Sequence, residues 1–190
     1  MRVLIACEFS GVVRDEFIKK GHDALSCDLE DTEKPGPHYK GNVLDIINRD
    51  WDLMIAHPPC TYLSSSGMHW TTRGLRDPKL TEEALSFVNI LLNSNINKIA
   101  LENPVGVISS KIRKPDQIIQ PWMFGEDASK KTCLWLKNLS PLVPTNILIK
   151  DRYSNQTPSG QNNLSPSKNR AKLRSITYAG IAKAMAEQWS

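Results

Sequence analysis

The sequence lacks closely spaced cysteines and long apolar runs. Its four cysteines, Cys7, Cys27, Cys60 and Cys133, lie far apart, and no CxxC pair occurs. This spacing argues against a zinc site or a disulfide framework and is typical of reduced thiols in the cytoplasm. No apolar stretch approaches the roughly 18 residues that span a membrane, and the first residues do not resemble a secretion signal. We therefore expect a cytoplasmic protein with no bound metal and no membrane partner.

The composition that remains is that of an ordinary globular protein. The chain has 190 residues, of which 40% are hydrophobic and 23% charged. That length suits one domain with its own core, so we expect a single domain over residues 1–190. The net charge of +4 is compatible with a polyanionic partner but does not require one.

Short apolar runs alternate with helix-like stretches along the chain. Strands are predicted at residues 2–6, 23–27, 52–56, 98–101 and 133–136. Helices are predicted at residues 12–20, with Ser10 as N-cap, at 81–93, and at 175–190. This alternation predicts an α/β fold, with a mostly parallel sheet and helices on both faces.

The segments between these elements carry further predictions. We expect a short third strand and turn at 41–46, a long functional loop at 61–78, a helix broken at Pro115 within 105–121, and a polar basic loop at 151–174. The final helix places Tyr178, Ile181, Ala182, Met185 and Trp189 on one face, and we expect that face to pack back on the rest of the domain.

The most informative stretch is residues 52–62, where an apolar strand ends at two prolines followed by a cysteine. Proline has no N–H for a central ladder, so the chain must leave the sheet at Pro58. Open α/β sheets place their ligands at the carboxyl ends of their strands. Cys60 is therefore a candidate nucleophile. The alternative is a small packed hydrophobe, which is the common state of a free cysteine.

A strand, a turn, a helix and a second strand near the N-terminus form a pattern typical of nucleotide binding. The turn is Cys7-Glu8-Phe9-Ser10-Gly11, and Asp28 closes the second strand. Small residues let the backbone approach a ligand, and a carboxylate at that position binds ribose hydroxyls. Units of this kind are common, so the pattern indicates a cofactor site without establishing one.

Glu102 and Asn103 follow the next predicted strand and precede a proline. A right-handed crossover brings this strand end to the same edge as Cys60. A thiolate adds to an electron-poor ring when a neighbouring acid offsets the charge that develops. Thiolates form near neutral pH beside a cation or a helix terminus, and His57, Arg73 or a lysine is the candidate cation. The alternative for Glu102 is a solvated carboxylate or a helix cap.

Pro58-Pro59-Cys60 followed by Glu102-Asn103 resembles the fourth and sixth motifs of the cytosine-C5 DNA methyltransferases. The resemblance keeps the order of the family's motifs and spans nearly the whole chain. The other similar segments are Phe9-Ser10-Gly11 (first motif), Asp28 (the ribose ligand), Gly41-Asn42-Val43 (the adenine contact), residues 130–136 (eighth motif) and residues 175–189 (the tenth-motif helix).

The resemblance implies a single Rossmann-like class I methyltransferase domain whose C-terminal helix packs back on the cofactor region. Its implied activity is methyl transfer from S-adenosylmethionine to C5 of cytosine in DNA, through a covalent cysteine adduct. The implied catalytic residues are Cys60, Glu102 and Asn103, and Asn103 positions the loop of Cys60. The implied cofactor ligands are Glu8, Phe9, Ser10, Gly11, Asp28, Asn42 and Pro58. The implied substrate ligands are Pro59, Lys130, Lys131 and Arg73.

The chain departs from the family's pattern in several places. Val12-Val13-Arg14 stands where the first motif has a further glycine, His57 replaces a glycine, and Thr61 replaces a glutamine. Lysines replace the arginine pair of the eighth motif. Too few residues lie between 136 and 175 for a target-recognition domain, so the chain is expected to read little sequence, to act on single strands, or to use a second subunit.

Two other functions stay open at this stage. One is the same chemistry on a free pyrimidine nucleotide or RNA, and the other is a non-catalytic nucleic-acid-binding or regulatory protein. The basic segment 152–174 is either a phosphate contact or a solvated loop. Amino-methylating enzymes are less favoured, because His57-Pro58-Pro59-Cys60 lacks the amide or carboxylate that those enzymes place before two prolines.

Overall fold

Seven strands form one sheet in the computed structural model, which describes residues 1–167 and 169–190. In chain order they are β1 (Arg2–Ala6), β2 (Asp23–Asp28), β3 (His38–Lys40), β4 (Leu53–Ala56), β5 (Lys98–Pro104), β6 (Gln117–Ile119) and β7 (Thr132–Lys137). The order across the sheet is β3-β2-β1-β4-β5-β7-β6. The first five strands are parallel, and β7 is antiparallel to both of its neighbours. The predicted mostly parallel α/β sheet is confirmed.

Helices lie on both faces of this sheet. The helices of the described residues are α1 (Val12–Lys19), α2 (Ser65–Thr72), α3 (Pro78–Leu92), α4 (Ile108–Lys111), α5 (Arg170–Ser175) and α6 (Ala179–Gln188). On one face, Phe17 of α1 and Met185 of α6 pack in a core cluster with β1, β4 and β5. On the other face, Val88 and Leu91 of α3 belong to a second cluster with the same strands. The sheet is therefore covered on both sides, as predicted.

The parallel strands end at one level of the sheet, and this positions the candidate site. Ala6 pairs with Cys27 of β2 and with Ala56 of β4, which in turn pairs with Leu101 of β5. The next residues along these strands lie at the carboxyl edge in the order Asp28, Cys7, His57 and Glu102. Only β5 continues beyond this level, because it stays paired with β7 as far as Pro104.

The third strand lies earlier than predicted. A strand is predicted at 41–46, but β3 ends at Lys40 and Val43–Asp45 form a turn of 3-10 helix. His38 is held beside β2, since its Nδ1 lies 2.8 Å from the Oγ of Ser26. The side chain of Asn42 then accepts the N–H of Leu44 and caps the turn. The apolar residues after Asn42 resemble a strand in sequence, but this side-chain cap directs them into a turn.

The predicted long loop at 61–78 is also wrong, because it contains α2 and the first residue of α3. Ser64 accepts the N–H of Gly67, and Asp77 accepts the N–H of Lys79, so each helix begins at a capping side chain. Pro78 occupies the first turn of α3, where its missing N–H is not needed. The Ser, Thr and Gly content of this stretch is typical of a loop, and α2 could not be predicted from it because the start of that helix depends on a single capping side chain.

The segment 105–121 forms α4 and β6 instead of a helix broken at Pro115. β6 pairs antiparallel with β7 and buries Ile119 completely. The sequence between α4 and β6 has too few apolar residues at helical spacing for a helix that covers the sheet. An edge strand is favoured instead, because its backbone N–H and C=O groups can pair with those of β7.

The described residues between β7 and α5 form no helix or strand, and α5 begins at Arg170, inside the predicted polar loop. α6 begins at Ala179 instead of Ser175, because Ile176 and Tyr178 have extended backbones. Its predicted apolar face is confirmed, since it buries Ile181, Ala182, Met185 and Trp189. No helix within residues 1–167 and 169–190 combines the length and the apolar character that crossing a membrane requires.

Candidate active site

Cys60 lies in a tight loop at the carboxyl end of β4. The chain leaves the strand at His57, and the next residue, Pro58, is buried while Pro59 is exposed. The carbonyl oxygen of Cys60 accepts the N–H groups of Leu63 and Ser64, at 3.1 and 2.9 Å. These two bonds close the turn and fix the backbone that carries the thiol.

The four cysteines differ in exposure. Cys27 and Cys133 are buried, whereas Cys7 and Cys60 are partly exposed. Burial, aided by the charge of Asp28, raises the pKa of Cys27 to about 11 and also raises the pKa of Cys7. The packed-hydrophobe interpretation therefore fits Cys27 and Cys133, and Cys60 has the exposure that a nucleophile needs.

The carboxylate of Glu102 lies beside His57 at the end of β5. Nδ1 of His57 is 2.8 Å from Oε2 of Glu102, and each side chain is 9% exposed. Burial by itself raises the pKa of Glu102, but the charge of Lys130 and the hydrogen bond from His57 outweigh it and bring the pKa to about 2. Glu102 is therefore ionised near neutral pH, and Nδ1 of His57 must be the donor.

The two oxygens of Glu102 have different surroundings. Oε2 is taken by His57, while Oε1 has no hydrogen-bond partner within residues 1–167 and 169–190. The side chain of Glu102 keeps 9% of its surface exposed. One oxygen is thus held by the protein, and the other is available to a ligand.

Asn103 holds the loop of Cys60 from the neighbouring strand. Its Nδ2 donates to the carbonyl oxygen of Pro58 at 2.7 Å, and the residue is 2% exposed. Its Oδ1 is fully buried and has no partner among the described residues. This contact joins β5 directly to the Pro-Pro-Cys segment.

A cavity of about 350 Å³ opens at the carboxyl ends of β1, β2, β3 and β4. Small-molecule sites are commonly of this size. Three of the predicted cofactor residues, Asp28, Asn42 and Pro58, line it. Its apolar wall is formed by residues that include Val43, Leu80 and Phe87. The walls therefore combine flat apolar surface with a few polar groups at strand ends.

Two polar residues of this cavity, Asp28 and Asn42, each keep one free atom. Oδ1 of Asp28 accepts the N–H of Glu30 at 3.0 Å, and Oδ1 of Asn42 accepts the N–H of Leu44 at 3.0 Å. Oδ2 of Asp28 and Nδ2 of Asn42 make no hydrogen bond within the described part of the chain. At these two residues a ligand thus meets a carboxylate oxygen and an amide N–H.

The predicted first-motif residues Glu8, Phe9, Ser10 and Gly11 do not line the cavity. The carboxylate of Glu8 instead accepts the N–H of Val13 at 2.7 Å and also the hydroxyl of Ser10. Gly11, at a φ of 71°, is the N-cap of α1 in place of the predicted Ser10. Glu8 therefore accepts buried N–H groups in the first turn of α1 that have no partner within the helix.

Arg14 is a central residue of this region that sequence reasoning missed. It is 0% exposed, and its guanidinium donates to the hydroxyl of Ser26 and to the carbonyl oxygens of Lys34 and Pro35. A Cβ built on Gly11 would lie 2.4 Å from Nη2 of Arg14. Arg14 therefore fills the space beside the turn at Gly11. Apart from Asp15, which its Nε contacts at 2.9 Å, its hydrogen-bond partners come from later in the chain, so no local signal marks its burial.

The predicted substrate residues lie in different settings. Pro59 and Lys131 are exposed, and Arg73 is exposed at the end of α2. Lys130 is the one whose charge acts on Glu102, and its Nζ donates to the carbonyl of Arg174. Near Cys60 the structure also places an arginine that was not predicted. Arg76 donates to the carbonyl of Thr61 at 3.0 Å and lies over the ring of Tyr62.

Within the described residues, no group of three or more His, Cys, Asp or Glu side chains is placed to hold a metal ion. A scan against models of known protein families finds no match. A search of curated proteins also finds no match. The functional argument therefore depends on the geometry of the site itself.

Proposed function

We propose that the chain is an S-adenosylmethionine-dependent methyltransferase that methylates C5 of cytosine in DNA through a covalent adduct on Cys60. The observation that carries this proposal is the joining of two neighbouring strand ends. β4 delivers the loop of Cys60, β5 delivers Glu102, and the contacts His57–Glu102 and Asn103–Pro58 link them. The sheet order and the single antiparallel insertion of β7 are consistent with a Rossmann-like class I methyltransferase domain.

The cavity at the strand ends fits the cofactor's adenosine. Oδ2 of Asp28 is free to accept ribose hydroxyls, and Nδ2 of Asn42 is free to donate to a ring nitrogen of adenine. The apolar wall of Val43, Leu80 and Phe87 suits the faces of a purine. When bound, S-adenosylmethionine supplies the methyl group.

The side chains at the strand ends have complementary tasks in this chemistry. The thiolate of Cys60 attacks C6 of the cytosine. Oε1 of Glu102, ionised and without a hydrogen-bond partner among the described residues, accepts from the amino edge of the ring and holds it in place. Asn103 keeps the Cys60 loop at a fixed distance from the ring. Loss of the C5 proton after methylation expels the thiolate.

Access to the base decides the natural substrate. In duplex DNA the cytosine must be flipped out of the stack at a cost of a few kcal/mol. No helix or strand lies between Lys137 and Arg170 in the part of the chain that the structure describes. This segment therefore offers no separate domain for recognising a DNA sequence. Recognition of a duplex sequence then requires a second subunit, whereas a single-stranded substrate requires none.

The buried Arg14 favours one alternative of a different class. It occupies the space beside the Gly11 turn, where the resemblance implies a further glycine near the cofactor. If the Arg14 side chain closes the cofactor site, the chain is a non-catalytic nucleic-acid-binding protein with the same fold. The cavity beside Asp28 and Asn42 argues for the enzyme, since it remains open.

Two measurements test the proposal. Isothermal titration with S-adenosylmethionine should show saturable binding, and its absence would favour the non-catalytic alternative. Transfer of labelled methyl groups is then compared on single-stranded DNA, duplex DNA, RNA and dCMP, and the mark is located on the base. Cytosine methylated at C5 in DNA supports the proposal, whereas methylation only of RNA or dCMP assigns the other substrate.

A further inference from the structure

Helix α2 is attached to both strand ends of the candidate site. It follows the loop of Cys60 directly, because Ser64 donates its N–H to the carbonyl oxygen of Cys60 and caps the helix with its side chain. The N–H of Ser65 then donates to the carbonyl oxygen of Val105, just beyond β5, at 3.0 Å. The helix therefore has a defined position beside the strand end of Cys60 and the strand end of Glu102.

Two glycines let these backbones pack in direct contact. A Cβ built on Gly67 of α2 would overlap the carbonyl oxygen of Thr61, and one built on Gly106 would overlap the carbonyl oxygen of Leu63. The helix, the Cys60 loop and the segment after β5 therefore leave no space between them at these points. Side chains on the outer face of α2 are consequently held at a fixed separation from Cys60.

The outer face of α2 carries the most exposed tryptophan of the chain. Trp70 keeps 48% of its surface exposed, whereas the other four tryptophans are buried or half-buried. The opposite face of the helix packs inward, since Gly67 is buried and Oγ1 of Thr71 is fully buried. His69 is exposed beside Trp70, and their rings meet edge to face with centroids 6.1 Å apart. A large flat ring open to solvent beside a candidate active site suits stacking with a nucleic-acid base.

The charge around Trp70 is positive. Arg73 lies three residues after Trp70, so the two side chains are neighbours at the end of the helix. Arg73 is exposed and makes no hydrogen bond or ion pair with any residue that the structure describes. The sequence has no acidic residue between Asp52 and Asp77. The guanidinium is therefore available to a phosphate next to a base that stacks on Trp70.

Basic residues also lie on the other side of the site, next to β7. Lys130 and Lys131 immediately precede this strand, whose first residue, Thr132, pairs with Pro104 at the end of β5. The sheet order places β5 between β4 and β7. Cationic side chains therefore flank the strand ends of Cys60 and Glu102 from both directions, and a polyanionic strand can cross the site between them.

We propose that the outer face of α2, formed by His69, Trp70 and Arg73, is a stacking surface for single-stranded DNA. The indole of Trp70 holds a base near the target cytosine, and Arg73 binds a phosphate beside that base. Trp70 lies six residues after Ser64, which is about 9 Å along the helix. The position of the cytosine in this inference rests on the proposed function, whereas the binding of a single strand does not.

This surface favours a single strand over a duplex. The bases of a duplex are paired and stacked on one another, so only an unpaired base presents a free face to Trp70. Stacking of this kind tolerates any base, because every base has a flat face. The α2 surface therefore accounts for binding of the substrate without a separate recognition domain.

Replacement of Trp70 tests the stacking. The probe is a thymine oligodeoxynucleotide with one cytosine, titrated without cofactor while tryptophan fluorescence is recorded. We expect Trp70→Ala to raise the Kd by at least about 5-fold and to lose the fluorescence quenching that a stacked base causes. Trp70→Phe keeps a flat ring and should retain most of the affinity. Ile90→Ala, at a residue of α3 that is 45% exposed, is the matched control and should bind as the wild type does.

An unchanged Kd with unchanged quenching in Trp70→Ala would overturn the proposal. Arg73→Gln gives a second, independent reading, which also decides the question if Trp70→Ala does not fold. Loss of one phosphate contact should reduce the slope of log K against log salt concentration by about 0.7 for a single strand. Lys114→Gln, at an exposed position before β6, should leave that slope as it is. A wild-type slope in Arg73→Gln would contradict the phosphate contact.

The same sequence is then compared as single-stranded DNA, duplex DNA and RNA. Tighter binding of the single-stranded DNA, lost in Trp70→Ala, supports the proposal. Equal or tighter binding of the duplex would overturn it, and tighter binding of the RNA would assign the surface to RNA instead.

The methylation assay separates this inference from the proposed function. A wild-type protein that binds single strands through Trp70 but methylates no cytosine would end the proposed function and keep the α2 surface. A wild-type protein that methylates cytosine, alongside a Trp70→Ala protein with the same Kd and KM for DNA, would end the α2 surface alone.

Discussion

Nδ2 of Asn103 donates to the carbonyl oxygen of Pro58 across 2.7 Å, so the strand that carries Glu102 also holds the loop that carries Cys60. Two prolines cannot donate to a ladder, and this loop therefore depends on a side chain from the next strand. The separation of the Cys60 thiol from the Glu102 carboxylate therefore depends on this hydrogen bond as well as on the pairing of β4 with β5.

Asn103→Ala should weaken both the fold and the catalysis. A buried carbonyl oxygen that loses its donor costs about 1–3 kcal/mol, and the Cys60 loop gains freedom. We expect a lower free energy of unfolding in urea and a lower rate of methyl transfer, with unchanged affinity for S-adenosylmethionine. Asn89→Ala, at an exposed position of α3, is the control and should change neither. A stable Asn103→Ala protein with the wild-type rate would remove Asn103 from the loop's support.

Filling the strand-end cavity should abolish cofactor binding without unfolding the protein. Ala84 of α3 lines the cavity, and Ala84→Phe places a ring in it. We expect the Kd for S-adenosylmethionine to rise by at least about 10-fold, or ~1.4 kcal/mol. Ile90→Phe, on the exposed side of the same helix, should bind normally. Equal affinity in Ala84→Phe and wild type would place the cofactor elsewhere.

The ionised Glu102 should contribute to stability only above acidic pH. Burial opposes its ionisation, but Lys130 and His57 prevail and lower the pKa from the ordinary 4.5 to about 2 in the folded state. A carboxyl group with a lowered folded pKa stabilises the fold above its unfolded pKa, and this stabilisation is lost as the pH falls from about 4.5 toward 2. Urea unfolding at a series of pH values should show this loss in wild type. Glu102→Gln should show a flatter curve over the same range. Identical curves would mean that Glu102 does not titrate as the geometry implies.

A methyl group at Gly11 should disturb the buried guanidinium of Arg14. Gly11 has a φ of 71°, and a Cβ there lies 2.4 Å from Nη2 of Arg14. We expect Gly11→Ala to lower the thermal midpoint clearly, and Gly74→Ala, also at positive φ but with open space around it, to lower it less. If the two variants lose equal stability, backbone strain alone accounts for the loss and the contact with Arg14 does not.

The sequence predicts the strands of the sheet better than the segments between them. Apolar runs such as residues 99–101 are buried on both faces, so their composition alone identifies them. The helices α2 and α3 begin at Ser64 and Asp77, whose caps are single hydrogen bonds that composition does not reveal. The third strand was displaced for the same reason, since the cap of Asn42 decides where the chain turns.

The candidate site shows the same division. Cys60, Glu102 and Asn103 could be placed at one edge because strand ends and prolines are visible in the sequence. The contact of His57 with Glu102 depends on the register of two strands, and the burial of Arg14 depends on a loop twenty residues away. Contacts of that kind are set by tertiary structure and have no local signature.

Covalent trapping tests the central claim most directly. The wild-type protein is incubated with S-adenosylmethionine and an oligonucleotide that carries 5-fluorocytosine, whose fluorine cannot leave as the C5 proton does. We predict a stable adduct whose mass locates the base on the peptide of Cys60, and no adduct with Cys60→Ser. Failure to form an adduct in the presence of bound cofactor, or an adduct that persists in Cys60→Ser, would contradict the account.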